Sequence, residues 1–200
     1  MTIEHTAVSP EIRELGEKVL SAEQVKVAEQ TVLDLSKKGK SRNAAKARLI
    51  LHLGMTPKRP LFYLNTMYLD YLPRCTRDSM RYLGDYVDLL LKAAVSEMSA
   101  GAKKAPFGSN IARGRDLLST ELHEKLTKFN LHVYQPAKHD FSPLKGDRKH
   151  RFTAGEVVFA VYIAKQLATE ITTLSARAQR VANDQDEDFW CENMVGRNAC

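Results

Sequence analysis

An all-α helical bundle is predicted by three features of this chain. Apolar residues recur at i, i+3, i+4 and i+7 spacing through most of its length. Helix-start signals stand at Ser21 with Gln24 and at Thr153 with Glu156, where a hydroxyl and a longer side chain three residues on can exchange backbone hydrogen bonds. Turn-formers are scarce, with 10 Gly and 7 Pro in 200 residues, too few for a turn-rich β chain. The expectation is one bundle of about five to seven helices. N-terminal helices over residues 1–75 would pack on a core over 76–180, and a mobile acidic tail would follow over 181–200.

Each element has its own warrant. Ser9-Pro10-Glu11 starts a helix: Ser caps, Pro fits the first turn, and Glu suits the positive dipole end. The Ser21 helix buries Val25, Ala28, Val32 and Leu35, and Gly39 ends it. Ser41 opens a third helix through Leu53, stopped by Gly54. Between Pro60 and Pro73, Leu61 to Leu72 reads as a short apolar helix. Thr76 opens the clearest helix, with Met80, Leu83, Val87, Leu91, Ala94 and Met98 on one stripe. Asp85, Asp88 and Lys92 lie largely off that stripe, Asp88 and Lys92 as a supportive i,i+4 pair. Gly84 in mid-helix costs stability relative to Ala, which a close neighbouring helix would explain.

Residues 102–115 read as a basic, Gly-containing loop, and a helix from about Asp116 to Asn130 turns Leu118, Leu122, Leu126 and Phe129 inward. Leu131 to Tyr134 is a short strand candidate, and a polar loop follows over 135–152. Thr153 opens a long helix with Val157, Val161, Ala164, Ala168 and Ile171 on one face. Beyond about Arg180 the pattern dissolves into Asn-Asp-Gln-Asp-Glu-Asp, with Trp190 able to dock on the body.

The hydrophobic fraction of 44% suffices for a globular core, and mean hydropathy is −0.36. Cys75, Cys191 and Cys200 form no CxxC pair, so neither a zinc knuckle nor a disulfide framework is suggested. Arg74 and Arg77 beside Cys75 favour a thiolate, without a positioned His to make it a nucleophile. No secretory signal or membrane-length apolar run is present, and a cytoplasmic protein with no membrane contact is expected. The net charge of +6 and pI near 9.2 point to an anionic partner, nucleic acid first.

Chemistry concentrates at 135–152. Lys138, Lys145, Arg148, Lys149 and Arg151 outnumber Asp140 and Asp147, with His139 and His150 among them, and the segment leads into a helix N-terminus that favours anions. A phosphate can sit among Arg148, His150 and that helix end, and imidazoles exchange protons near neutral pH. The competing account is a solvated loop. A second basic run, Lys37, Lys38, Lys40, Arg42, Lys46 and Arg48, spans a helical corner without an acidic residue and suits non-specific phosphate contact or plain solvation. The aromatic group Phe62, Tyr63, Tyr68 and Tyr71 fits a core better than a base-stacking platform. Neither Asp85 and Asp88 with His123 nor His139 and Asp140 with His150 makes a convincing metal set, the latter because surplus positive charge repels a dication. No P-loop or dinucleotide fingerprint is present. No metal or cofactor is expected.

The order of a helix bearing Tyr82-Leu83-Gly84-Asp85-Tyr86-Val87-Asp88, a further amphipathic helix, a His-containing polar segment and a last helix opened by Thr153-x-x-Glu156 resembles the HEPN superfamily over about residues 76–174. That resemblance implies a helical core and, in catalytic members, metal-independent RNA cleavage by an Arg and a His a few residues later at a dimer interface. Here Arg42-Asn43 has its next His at His52, and Lys138-His139 and Arg148-Lys149-His150 are spaced too closely for that pattern. The resemblance is therefore compatible with altered or absent nuclease activity, and with roles in defence or toxin–antitoxin systems. The expected function is an RNA-associated protein, with metal-independent endoribonuclease action by His139, His150 and Arg148 as its catalytic form and Lys138, Lys149, Arg151, Lys37, Lys38, Lys40 and Arg42 as backbone contacts. The alternative is a non-enzymatic interaction protein that holds a protein partner or a second copy, with the acidic tail as a tethered competitor.

Overall fold

The computed structural model describes residues 6–53, 76–98, 105–139, 152–183, 185, 186, 188 and 189. Among these the fold is all-α. The helices are α1 (Pro10–Val19), α2 (Ala22–Ser36), α3 (Lys40–Leu53), α4 (Thr76–Ser96), α5 (Phe107–Arg113), α6 (Thr120–Phe129), α7 (Gln135–His139), α8 (Ala154–Thr172) and α9 (Ala176–Ala182). A π-helical turn, Asn130–Tyr134, joins α6 to α7 without a break.

α4 and α8 pack on each other at the centre. Both are buried on every side over long stretches, Leu83 to Leu91 in α4 and Ala154 to Ala164 in α8. A helix apolar all round has nowhere stable except a core, which accounts for the Val, Ala, Ile and Phe of α8. Helices α1, α2 and α3 lie against α8, α9 lies against both central helices, and α5, the π-turn and α7 lie against α4. One contiguous apolar core runs from Ile12 to Phe189.

Local start signals act as the sequence suggests. Gln24 N donates to Ser21 Oγ at 3.2 Å and Ser21 N donates to Gln24 Oε1 at 2.8 Å, closing the capping box of α2. Gly39, at φ 67°, makes the turn into α3. Ser9 takes the cap position of α1 without a side-chain cap bond. Its N–H donates instead to Glu156 Oε1 at 3.3 Å, and the reason lies at the start of α8.

There the capping box holds a second segment. Glu156 N donates to Thr153 Oγ1 at 3.1 Å, and Thr153 N to Glu156 Oε2 at 2.8 Å. Thr153 Oγ1 also donates to the Ala7 carbonyl. Residues 6–9 are thus strapped across the first turn of α8, close enough that a Cβ on Gly155 would lie 2.1 Å from the Thr6 carbonyl oxygen. Thr153→Ala removes the cap and the strap anchor together. It is expected to cost about 2 kcal/mol, the upper end for a lost helix cap, read as a shifted urea midpoint at unchanged slope.

Several expectations need correction. Residues 102–115 are not simply a loop, because Phe107–Arg113 forms α5. Its Phe107 ring meets Phe129 at 6.5 Å and Tyr134 at 5.6 Å between centroids, both edge to face, and this aromatic burial outweighs the segment's Gly and basic residues. Leu131 to Tyr134 is π-helical rather than a strand, since hydrogen bonding continues from α6. The polar segment begins as helix α7. Met98 lies beyond the end of α4 and is exposed instead of joining its stripe. The expected tail begins inside the body: Arg177 Nε donates to Asp186 Oδ2 at 3.2 Å, Asp186 Oδ1 accepts from Phe189 N at 3.2 Å, and Phe189 is fully buried. The helix expected at 61–72, Cys75, Cys191, Cys200 and Trp190 lie outside the described residues.

No helix among the described residues is long and apolar enough to cross a membrane.

Candidate functional site

The main departure from the sequence expectation is on α4. Arg77, Arg81, Asp85, Asp88 and Lys92 recur at spacings of four or three and form a polar stripe beside the apolar one. Both aspartates lie off the apolar stripe, on the side of a helix that ordinarily meets water. They are 6% and 4% exposed, because the π-turn and α7 lie over them.

Tyr134 fastens the cover. Its hydroxyl donates to Asp85 Oδ1 at 2.8 Å, a bond buried from solvent. Its ring fills the space over Gly84, where a Cβ would lie 2.1 Å from Tyr134 Cδ2. The close approach inferred from the mid-helix glycine is therefore real, and its partner is a ring on the π-turn. Arg77 Nε donates to the Ala137 carbonyl at 3.0 Å, which ties α7 to α4 as well. π-turns inside helices occur often at functional sites, and this one carries the residue that anchors the junction.

Asp88 is the most perturbed acid here. Burial pushes its carboxyl above the usual range, and Lys92 partly opposes that shift. Lys92 Nζ bonds Asp88 Oδ2 at 2.9 Å, whereas Oδ1 has no hydrogen-bond partner among the described residues although it is buried. Lys138 also acts electrostatically on Asp88, and its ammonium lies 5.2 Å from the centroid of the Tyr134 ring. Two buried carboxyls, a phenol and two ammonium groups thus meet at one helix junction. A buried carboxyl shifted by its surroundings, as Asp88 is, is costly to keep in a core, and such groups concentrate at sites that do chemistry.

Of the predicted site residues, Lys138 and His139 are both exposed at the end of α7, and the junction holds them in place. Arg148, Lys149, His150 and Arg151 lie outside the described residues, as does Asp140.

The second basic run is less free than it reads. Lys37 Nζ bonds Asp34 Oδ1 at 3.0 Å, and Arg48 reaches Asp34 Oδ2 at 3.5 Å and Thr31 Oγ1 at 2.9 Å. The Lys37 bond holds the Asp34 carboxyl below its usual range. An acid one helix turn before the run partly neutralises the corner, which the run itself does not reveal. Lys38 and Lys40 are exposed, and Arg42 is half-buried. Among the described residues no hydrogen bond or ion pair links Lys37, Lys38, Lys40 or Arg42 with Lys138 or His139. The two basic groups are not brought into one bonded cluster.

His52, the next His after Arg42-Asn43, stacks on Tyr162 at 4.2 Å between centroids, and burial pushes its imidazole down to about 4. It is neutral at physiological pH and serves the α3–α8 packing. Among the described residues no group of three or more His, Cys, Asp or Glu is placed to hold a metal ion.

Compared with protein-family models, curated proteins and solved structures, the chain matches none.

Proposed function

We propose that this chain is an RNA-associated helical protein of HEPN-like layout, and that the end of α7 is where it meets the phosphate backbone. The observation that carries this reading is the anchoring of Lys138 and His139: the buried Tyr134–Asp85 bond and the Arg77–Ala137 bond present that pair on a fixed helix end. A cation and an imidazole held by a rigid support lose little entropy when they bind a phosphate. The net charge of +6 adds long-range attraction for a polyanion.

In the catalytic form of the proposal, His139 takes the proton of a 2′-hydroxyl as it attacks the adjacent phosphorus. Lys138 and Arg148 balance the charge on the phosphorane, and His150 returns a proton to the leaving 5′-oxygen. This general acid–base scheme requires no metal.

The test is a fluorescent single-stranded RNA incubated with purified protein in EDTA at low and physiological salt. Binding is expected to weaken steeply with salt. Cleavage is expected to vanish in the His139→Ala/His150→Ala protein while its urea midpoint stays put. Cleavage that persists in that variant sinks the catalytic assignment, and absence of binding at either salt sinks RNA association altogether.

A protein partner is the second reading. It is favoured by Leu33 and Leu51, which are 56% and 72% exposed on the packed pair α2 and α3. Association through such side chains responds little to salt, so the same titration separates the two. The acidic tail as a competitor for RNA is tested by changing Asp184, Glu187 and Asp188 together to Asn, Gln and Asn, because residues 191–200 carry only Glu192 against Arg197, Asp186 is bonded to Arg177, and Ala182 and Phe189 belong to the core; unchanged RNA binding removes the competitor role.

A further inference from the structure

A cleft of about 450 Å3 opens where α5 turns into α6, lined by Ala112, Arg115, Leu118, Thr120 and His123. That volume suits a small organic ligand. His123 and Lys138 are separated by 15 residues of continuous helix, which is about 20 Å at 1.5 Å per residue. The cleft is therefore a separate place from the α7 end.

Its charge is unusual for this side of the bundle. Lys125 is held by Glu121 at 2.8 Å and by Glu170 at 3.2 Å. Lys128 is held by Glu14 at 2.6 Å, and Lys18 pairs with Glu124. Glu121 and Glu124, on the helix that carries His123, are thus engaged by lysines, and those bonds hold both carboxyls below their usual range; Asp116 follows Arg115 in the chain and makes no ion pair with it among the described residues. Among the described residues no hydrogen bond or ion pair engages the Arg115 guanidinium or the His123 imidazole. Two nitrogen donors face one cleft without an acidic partner.

The lining is also set in position. Gly114 N donates to the Asn110 carbonyl at 2.9 Å, and Leu118 N donates to the Gly114 carbonyl at 2.8 Å, so Arg115 projects from a bonded turn. Ser119 Oγ caps α6 by accepting from Leu122 N at 3.1 Å, which fixes Thr120 and His123 on the first turns of that helix. Leu118 and Ala112 supply an apolar wall.

We infer that this cleft binds a small phosphate monoester with an aromatic body. The Arg115 fork, the His123 ring and the Thr120 hydroxyl take the phosphate, while Leu118 and Ala112 cover the ring. Arg suits the role because its planar donors match two phosphate oxygens at once.

The test is titration of the full chain with phenyl phosphate, followed by 1H–15N NMR. Saturable shifts are expected at the amides of Arg115, Thr120 and His123. Affinity is expected to fall about tenfold or more in Arg115→Ala and less in Arg115→Lys, which keeps the charge and loses the fork. Inorganic phosphate should move the same amides with weaker affinity. No shift in residues 112–123 up to about 10 mM phenyl phosphate, where even a millimolar site fills, overturns the inference. So do shifts confined to Lys138 and His139, or an unchanged affinity in Arg115→Ala. Equal affinities for phenyl phosphate and inorganic phosphate overturn the aromatic part. RNA cleavage or its absence does not enter this readout, so the two proposals fail separately.

Discussion

Lys92→Met is expected to be among the most damaging single substitutions in this protein. It removes the ammonium that bonds Asp88 Oδ2 at 2.9 Å and leaves a carboxyl buried without that partner, with Oδ1 already unpartnered among the described residues. Breaking one side of a buried ion pair costs on the order of 3–5 kcal/mol, because the remaining charge has lost its water and its counter-ion. The sign of the pH dependence follows from Asp88. Its folded-state carboxyl is pushed up by burial, with Lys92 opposing. The folded protein therefore holds this proton to higher pH than the unfolded chain does, and the stability contributed by this group falls as pH rises above the ordinary aspartate range. Losing Lys92 raises the folded value further. The gap between wild type and Lys92→Met should be widest at pH 8 and narrower at pH 5, measured by urea unfolding. Adding Asp88→Asn should recover much of the loss. A gap that is the same at both pH values would mean that the buried carboxylate is not the source of the cost.

The second large effect is expected at Gly84. Alanine in mid-helix ordinarily gains about 1 kcal/mol over glycine. At this position the added methyl would lie 2.1 Å from Cδ2 and 2.6 Å from Cγ of Tyr134. The ring cannot simply swing aside, since its hydroxyl is bonded to Asp85 and its edge packs on Phe107. Overpacking of this kind typically costs about 1–3 kcal/mol and sometimes more, so Gly84→Ala should be destabilising where the helix scale alone says the reverse. The Gly84→Ala/Tyr134→Leu double variant should lose less than the sum of its two single changes, because the overlap is counted in only one of them. A stabilised Gly84→Ala protein would mean that the π-turn yields readily, and the fixed presentation of Lys138 and His139 would lose its support.

The α-helical class was legible because it rests on local rules. Ser21 with Gln24 and Thr153 with Glu156 form their boxes from residues three apart, and the stripes of α2, α4, α6 and α8 announce themselves by spacing. The candidate site was only half legible. Lys138 and His139 are visible as a basic pair next to a helix. Asp85 and Asp88 are not, since a carboxyl off the apolar stripe looks the same whether water or another helix covers it. What covers these two is the π-turn with α7; Tyr134 is 49 residues from its hydrogen-bond partner Asp85, and no window of helical periodicity reaches that far. One signal was present: the glycine at 84 pointed to a close neighbour without naming it. The charge balance of the basic corner at 37–48 was only partly legible for a related reason. Asp34 lies just outside the run of like charge, and folding brings both Lys37 and Arg48 to it.

The π-turn has one more consequence, and it concerns chain length rather than composition. In an α-helix each residue advances the azimuth by about 100°, so one extra residue ordinarily turns everything beyond it by more than a quarter of a circle. A π-turn bonds i to i+5 and takes in an extra residue within a single turn, so the helix beyond Asn130–Tyr134 keeps nearly the heading it would have without that residue. A chain of common descent with one residue fewer here would close the turn as ordinary α-helix and leave the end of its arm pointing much the same way. Relatives are therefore better aligned by the residues on either side of this turn than by the length of the arm.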